Sequence, residues 1–438
     1  MSNSANSPTT TPNESTDLVP ESIREQRGLI NQNFENLANK VKPYAPLIST
    51  DPIVPVDSNR VPVDTNRETW NKTLNRLRFK LLPLLEEQID TLLELLHPSE
   101  LEDDIDGSSL ALIIEIQSEL DQNLHEILSI AAGIKHKPFS SPAQADDQEL
   151  EEFKEFRRQG ISSGLKTLNR TLHSLFDESS HMIRDLTKPS TLTIESYQHL
   201  QSSRSSAISQ HTFMAARYMN QVIKRMSAHE FTLILQLWAP QVHFTHNEFL
   251  SDLPKLIYRV IHHPEREYSY DGLAKCLKNK HALPLAQALI PLMKLSRVFF
   301  KTLMKCGLNK IPSKPFTHMN SYQLATLSDS VGFIMHDLFI VMKSIAEYGS
   351  DDVDDDQDYN PEYIEGIITR TIRRFDSNIL LVIAYVIPLI TDSIFEPNPL
   401  QTYLLQWNNL FLIAARRCIL AAQFYSSASQ AAETHENE

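Results

Sequence analysis

Glycine occurs only 10 times in this chain of 438 residues, where average usage of ~7% would supply about 31. Hairpin turns, bulges and phosphate-cradling loops depend on glycine for positive φ angles and close backbone approach. A long chain nearly without it, with Leu and Ile recurring in steps of three and four, is restricted to helices joined by ordinary loops. The expected fold class is therefore all-α. The same scarcity argues against nucleotide-binding and hydrolase folds. The chain has no G-x-G-x-x-G string, and no glycine is followed by lysine.

Hydrophobic residues make up 41% and charged residues 22%, which suits buried cores and not a chain disordered throughout. The length suits two or three domains of roughly 100–200 residues. Lys and Arg number 41 against 55 Asp and Glu, a net charge of −14. Such a surface repels phosphate backbones, so no nucleic-acid partner is expected. The short basic group Arg370, Arg373 and Arg374 reads as a solvated helix face. Cys276, Cys306 and Cys418 are widely spaced and form no CxxC pair, the pattern of reduced thiols in an intracellular protein. A cytoplasmic or nuclear location is expected. Met1 to Glu14 lack the basic and apolar regions of a signal peptide. The most apolar run, Ile379 to Ile390, makes about 18 Å of helix against the ~30 Å of a bilayer core, so no membrane span is expected.

Residues 1–20 and 426–438 are polar and aperiodic and read as disordered tails. A short helix over Glu21 to Val41 and a proline-containing linker fill residues 21–65. The linker carries a tandem heptapeptide, Val54-Pro-Val-Asp-Ser-Asn-Arg60 and Val61-Pro-Val-Asp-Thr-Asn-Arg67, whose prolines favour an extended segment. A capping box, Thr65-x-x-Glu68, should start a helix at about Asn66. Residues 66–226 are expected to form an N-terminal helical bundle, 227–280 a connecting helical segment, and 281–425 a C-terminal bundle. In the first bundle Leu74, Leu77, Leu81, Leu85, Ile89, Leu92 and Leu96 mark one core stripe, stopped by His97-Pro98. Ile113, Ile116, Leu120, Leu124, Ile127 and Ala131 mark a second. Further helices are expected at roughly 147–186, 194–226, 247–262, 283–305, 321–348, 361–390 and 399–424.

The two bundles share landmarks in one order. Leu81-Leu-Pro83-Leu-Leu85 recurs as Leu289-Ile-Pro291-Leu-Met293, and His125-Glu126-Ile127 as His336-Asp337-Leu338. Ser129-Ile-Ala131 with Gly133 recurs as Ser344-Ile-Ala346 with Gly349, and acidic stretches begin at Asp146 and Asp351. The series suggests an internal duplication; the plain alternative is that amphipathic helices resemble one another.

The segment Leu285-Ala-Gln-Ala-Leu-Ile-Pro-Leu-Met-Lys-Leu-Ser-Arg297, followed by Phe300-Lys-Thr-Leu303, is similar to sequences in a family of uncharacterised fungal helical proteins. So is the stretch from Met319-Asn-Ser-Tyr-Gln-Leu-Ala-Thr-Leu327 to Asp337-Leu338. More distantly, this block over residues 283–348 resembles the cyclin-D-interacting helical family. That resemblance implies an acidic all-α bundle that binds a protein partner, with a cell-cycle connection. It carries no cyclin-contact residue onto this chain.

Several strings in the chain could carry chemistry in the right context. Gly160-Ile-Ser162-Ser-Gly164 matches the G-x-S-x-G nucleophile elbow, but an elbow needs a preceding strand, and Glu151 to Gln159 read as charged helix. His243-x-x-His246-x-Glu248 offers three ligand types, with His262-His263 the nearest further pair, but zinc wants three or four converging ligands. His229-Glu230 begins like H-E-x-x-H and fails at Leu233. No catalytic residue, metal ligand or cofactor is assigned. The densest charge is Asp351, Asp352, Asp354, Asp355, Asp356 and Asp358, which lacks the glycine and terminal glutamate of a calcium loop. It reads as a solvated loop or as an acidic docking loop for a basic partner.

The function expected is that of a non-enzymatic adaptor or regulator acting through a protein partner. The competing expectation is an enzyme, or a small-molecule or metal binder, whose polar site assembles inside a bundle.

Overall fold

The computed structural model describes residues 20–42, 63–102, 104, 106–135, 147–187, 194–245, 252–262, 282–309, 316–347, 361–390 and 399–436. Every regular element among them is helical, so the fold is all-α. The chain divides into two compact units: Met1–Phe139 with Gly160–Ile223, and Ser140–Gln159 with Lys224–Glu438.

Unit 1 contains α1 (Glu21–Val41), α2 (Val63–Arg76), α3 (Leu82–Leu95), α4 (Pro98–Glu102) and α5 (Ser108–Lys135). It also holds most of α6 (Glu155–Thr187) and α7 (Ile194–Ser227). Helices α1 and α3 both pack along α5. All seven residues of the stripe from Leu74 to Leu96 are buried, each large side chain contributing about 1.5–3 kcal/mol relative to exposure. On α5 the buried face is Leu110, Ile113, Gln117, Leu120, Leu124 and Ile127. Ile116 and Ala131, expected inside, are half-buried, because the face turns to admit Gln117. At the entry to α5, Gly107 adopts φ +77°, a conformation costly for an L side chain. The turn lets Asp104 accept the Ser109 and Leu110 N–H groups at 3.2 and 3.1 Å.

Helix α2 begins at Val63, the residue that follows Pro62 in the sequence. The second heptapeptide copy is thus helical over its last five residues rather than extended, and Thr65 lies within the helix rather than at its cap. The first copy falls outside the described residues. One turn of π-helix, Leu77–Leu81, joins α2 to α3, with the Leu82 N–H bonded to the carbonyl of Leu77, five residues back. Pro83 accounts for it: the ring crowds the preceding turn and has no N–H to donate, and a widened turn relieves both problems.

Unit 2 contains a 3₁₀ segment (Gln148–Phe153), α8 (Glu230–Thr245), α9 (Asp252–His262), α10 (Ala282–Asn309) and α11 (Ser321–Glu347). It continues with α12 (Pro361–Leu381), α13 (Ile387–Ile390) and α14 (Pro399–Glu436). Helix α10 packs along α14 and against α8, while α12 packs against α11 and α14. Phe299, Phe300, Phe375, Trp407 and Phe411 form an aromatic centre with ring centroids 4.5–5.8 Å apart, and Trp238 meets Phe300 edge-on at 5.1 Å. Both indoles are satisfied: Trp238 Nε1 donates to the Leu327 carbonyl at 3.0 Å, and Trp407 Nε1 to that of Leu295 at 2.9 Å.

Two expectations need correction in unit 2. Residues 227–280 are expected as a connecting helical segment, yet α8 and α9 supply Phe231, Ile234, Leu235, Trp238, Val242, Leu253 and Ile257 to the core. Helix α8 has no one-sided stripe that would mark it as core, because a helix buried on several sides is apolar all round and shows no period. Helix α14 runs to Glu436, through residues expected as tail. The proline landmarks are also unlike in local structure. Pro291 lies inside α10, whereas Pro83 follows a π-turn, a device repeated at Val382–Val386, where the Ile387 N–H reaches the Val382 carbonyl just before Pro388. The structure does not show the duplication.

Ala282–Cys306 and Ser321–Ile345 are long and apolar enough to cross a membrane by length and composition, and about half of each apolar window is buried within the protein. Neither is a single unbroken apolar run, because occasional polar residues interrupt them.

Candidate functional site

Among the described residues, the densest buried polar group lies in unit 2, where the 3₁₀ segment, the start of α6, the start of α8 and the residues before α11 meet. Lys154 and Glu230 have fully buried side chains and Arg157 nearly so. Lys154 Nζ donates to Glu230 Oε2 at 3.1 Å and to the Thr317 carbonyl at 2.6 Å. Arg157 Nε reaches Glu230 Oε1 at 3.4 Å, and its terminal nitrogens donate to the carbonyls of Arg225 and Ala228 at 3.2 and 2.7 Å. The Arg157 guanidinium also lies 4.7 Å from the Phe316 ring centroid. Glu230 Oε2 further accepts the Thr317 N–H at 2.8 Å and hydroxyl at 2.6 Å.

Beside this group Asp147, 1% exposed, caps two helices at once. It accepts the Glu155 N–H of α6 at 2.9 Å and the Ser321 N–H of α11 at 2.7 Å, and also takes the Ser321 hydroxyl. The Ser321 hydroxyl oxygen in turn accepts the Phe156 N–H at 2.8 Å. A carboxylate at two helix N-termini is favoured by orphan N–H groups and by both dipoles. Helix α11 adds a reciprocal cap, with Asn320 and Gln323 exchanging backbone N–H to side-chain oxygen bonds at 3.0 and 2.9 Å. Glu151, in the 3₁₀ segment leading to Lys154, is the one described non-glycine residue with positive φ, at 50°. Such strain, of order 1–3 kcal/mol, persists where surrounding contacts over-determine the backbone.

Burial pulls Lys154 and Arg157 below their ordinary ranges, and Glu230 opposes the effect in both. His229 is 4% exposed, and burial lowers its pKa to about 4, so its ring is neutral at neutral pH. Its Nδ1 accepts the Phe231 N–H at 3.1 Å, capping α8, which leaves the proton on Nε2. That Nε2 is buried and has no hydrogen-bond partner. Two cations and two carboxylates thus balance in one desolvated cluster, with their hydrogen bonds directed at each other and at backbone groups. The arrangement stores conformational specificity: a charge removed on one side leaves its partner buried and uncompensated.

The strings singled out in the sequence scatter. Gly160, Ser162 and Gly164 lie in mid-helix of α6, so no strand-to-helix elbow forms. Gly164 serves packing instead, since a Cβ there would meet Val222 Cγ2 at 2.7 Å. His243 is exposed near the end of α8, while His246, Glu248 and His263 lie outside the described residues. His262 is exposed, its ring 4.3 Å from that of Tyr258. Among the described residues, no group of His, Cys, Asp or Glu is placed to hold a metal. The acidic run of Asp351, Asp352, Asp354, Asp355, Asp356 and Asp358 lies outside the described residues.

Arg370 and Arg374, read as a solvated face, are tied from below. Arg370 donates from Nε and a terminal nitrogen to Asp337 Oδ1 at 3.1 and 2.7 Å, and Arg374 Nε lies 3.0 Å from Asp337 Oδ2. Asp337 itself is 1% exposed. Lys154, Arg157, Asp147 and Thr317 escaped the sequence reading. Glu151 to Gln159 look like any solvated charged segment, and nothing local reveals that two of its cations turn inward. The signal closest to hand was His229-Glu230, a charged pair directly before an apolar run.

The surface has a second distinctive feature. Helix α14 buries Leu404, Trp407, Phe411, Ala415, Cys418 and Ala422, yet on its other side Leu405, Leu410, Leu412, Ile413 and Leu420 are 38–58% exposed.

Residues 229–420 match a family described as a domain of unknown function (DUF8721), and residues 70–227 match another, described as a domain of unknown function (DUF8723). No curated protein and no solved structure matches the chain.

Proposed function

We propose that this protein is a non-enzymatic helical scaffold that acts by binding another protein, with the outer face of α14 as its docking surface. The observation that carries the reading is the double-sided apolar character of α14: one stripe completes the unit 2 core, and the other faces solvent. Apolar ridges left exposed on helices are the usual material of helix-to-helix recognition. The buried cluster around Glu230 supports the same reading from the opposite side. Its charged groups are engaged with one another and with helix ends, an arrangement that holds a scaffold. The role of adaptor or regulator follows, and the resemblance to cyclin-D-interacting proteins makes a cell-cycle partner the first to try. Half-buried α10 and α11 fit core helices of a protein without a membrane span, acting in the cytoplasm or nucleus, and the acidic surface disfavours nucleic acid.

The test is site-directed. A photo-crosslinking residue at Leu420 should capture a defined protein that the same residue at exposed His125 in unit 1 does not capture. Ile413→Asp with Leu420→Asp should abolish capture while leaving the helical circular dichroism unchanged. Undiminished capture by that double variant would reject α14 as the docking face.

A further inference from the structure

The ridge on α14 has a chemical bias. Leu405, Asn409, Ile413, Arg416 and Leu420 follow one another in steps of four, four, three and four, so they form a single line along the helix, and all five are exposed. Leu412 and Arg417 flank the line and are exposed too. Between residues 399 and 432 the only charged side chains of α14 are Arg416 and Arg417. An apolar ridge with a cation inside it cannot be covered by a purely apolar surface, because the guanidinium would be desolvated without a counter-charge.

We infer that the α14 ridge receives an amphipathic helix of a partner protein that places a carboxylate opposite Arg416 among its apolar residues. This rests on the docking face proposed above and adds the partner's chemistry. A second copy of the chain fits poorly. Pairing two ridges end to end sets Arg416 against Asn409, and the acidic residues of α14, Glu433 and Glu436, lie thirteen or more residues beyond Leu420, past the end of the ridge. An anionic lipid surface also fits poorly: it would confront the whole chain, with its net charge of −14, whereas a single helix meets only this line. Arginine supports bidentate contact with a carboxylate, which fixes register as well as affinity.

The experiment uses the full chain and two synthetic amphipathic helical peptides with identical leucine stripes, one carrying glutamates beside the stripe and the other lysines. Fluorescence anisotropy at low and physiological salt reads binding. The glutamate peptide should bind about tenfold or more tighter than the lysine peptide, with the advantage shrinking as salt rises. Arg416→Glu with Arg417→Glu should invert the preference. If Ile413→Asp with Leu420→Asp abolishes binding of both peptides while the arginine reversals change nothing, the docking face stands and the acidic partner is overturned. If neither pair of substitutions matters, both are overturned. Sedimentation showing self-association that Ile413→Asp dissolves would assign the ridge to a second copy. Pelleting with phosphatidylserine vesicles that the arginine reversals abolish would assign it to a membrane. Either result overturns the inference.

Discussion

The two units solve the same problem, how to fix helices around an apolar core, with different polar chemistry. Unit 1 places neutral amides inside. Gln117 donates to the Ile30 carbonyl at 3.0 Å and accepts from Asn33 at 3.1 Å, and Asn123 donates to the Leu81 carbonyl and to Gln88 at 3.2 and 3.0 Å. Its one buried charge, among the described residues, is the cap Asp104. Unit 2 buries Asp147, Lys154, Arg157, Arg158, Glu230 and Asp337. Neutral amides cost less to desolvate than ions and are insensitive to pH, while buried ions bind strongly only as complete sets. Unit 1 should therefore yield gradually to mutation, and unit 2 abruptly.

The largest effect should come from Glu230→Ala, which removes the carboxylate bonded to both Lys154 and Arg157 and leaves two buried cations against Asp147 alone. A loss of about 3–5 kcal/mol is expected, confined to unit 2 when hydrogen exchange is followed peptide by peptide. A loss below about 1 kcal/mol would mean that the cluster is solvated and that the contrast between the units is false.

Acid should separate the units next. The His229 pKa is about 4 in the folded chain against ~6.5 unfolded, so the unfolded state binds more protons between those values. Its stabilising contribution is complete above about pH 6.5 and is lost as pH falls towards 4, about 3 kcal/mol in all. Denaturant midpoints of unit 2 measured from pH 7.5 to 4.5 should show this slope. His229→Asn, which keeps a capping oxygen for Phe231 and does not titrate in this range, should flatten it. An unchanged slope in that variant would remove His229 from the explanation.

A smaller test crosses the comparison. Asn123 is bonded on both donor sides, whereas Asn378, 1% exposed on α12, has neither amide atom paired. Asn123→Leu should cost about 1–2 kcal/mol, while Asn378→Leu should be neutral or stabilising, since it removes unsatisfied polar atoms. Equal losses at the two positions would show that Asn378 has a partner such as a buried water.

The smallest effect lies within unit 2. Burial pushes the Cys418 thiol up to about 12, leaving almost no thiolate at neutral pH, whereas Cys306 is part-exposed. Peptide mapping after a thiol reagent should find Cys306 labelled and Cys418 protected until the protein unfolds. Early labelling of Cys418 would show that α14 detaches from the core.

Which parts were legible follows from the range of the interactions. The stripe from Leu74 to Leu96 was readable because an amphipathic helix with one buried side repeats every three or four residues. The start of α11 at Ser321 was only partly local: Asn320 and Gln323 cap it from within, while Asp147 caps it from 174 residues away. Helix α8 was not, because Phe231, Leu233, Ile234, Leu235 and Trp238 are buried on several sides and the period disappears. The stretch Glu151 to Gln159 failed for the opposite reason: its charges match a solvated face, and only neighbours far along the chain, Glu230 and Thr317, turn Lys154 and Arg157 inward.

The sequence by itself determined that this is an all-α protein, because scarce glycine and periodic apolar residues act within a few turns of chain. It also determined where most helices begin and end, through prolines and caps that act over two to five residues. Tertiary structure alone decided that Glu230 would become the centre of a buried ion network and that α14 would keep a second apolar ridge in solvent. Burial is a property of what packs against a side chain. A lysine or a leucine carries the same local signature whether its neighbours arrive or not.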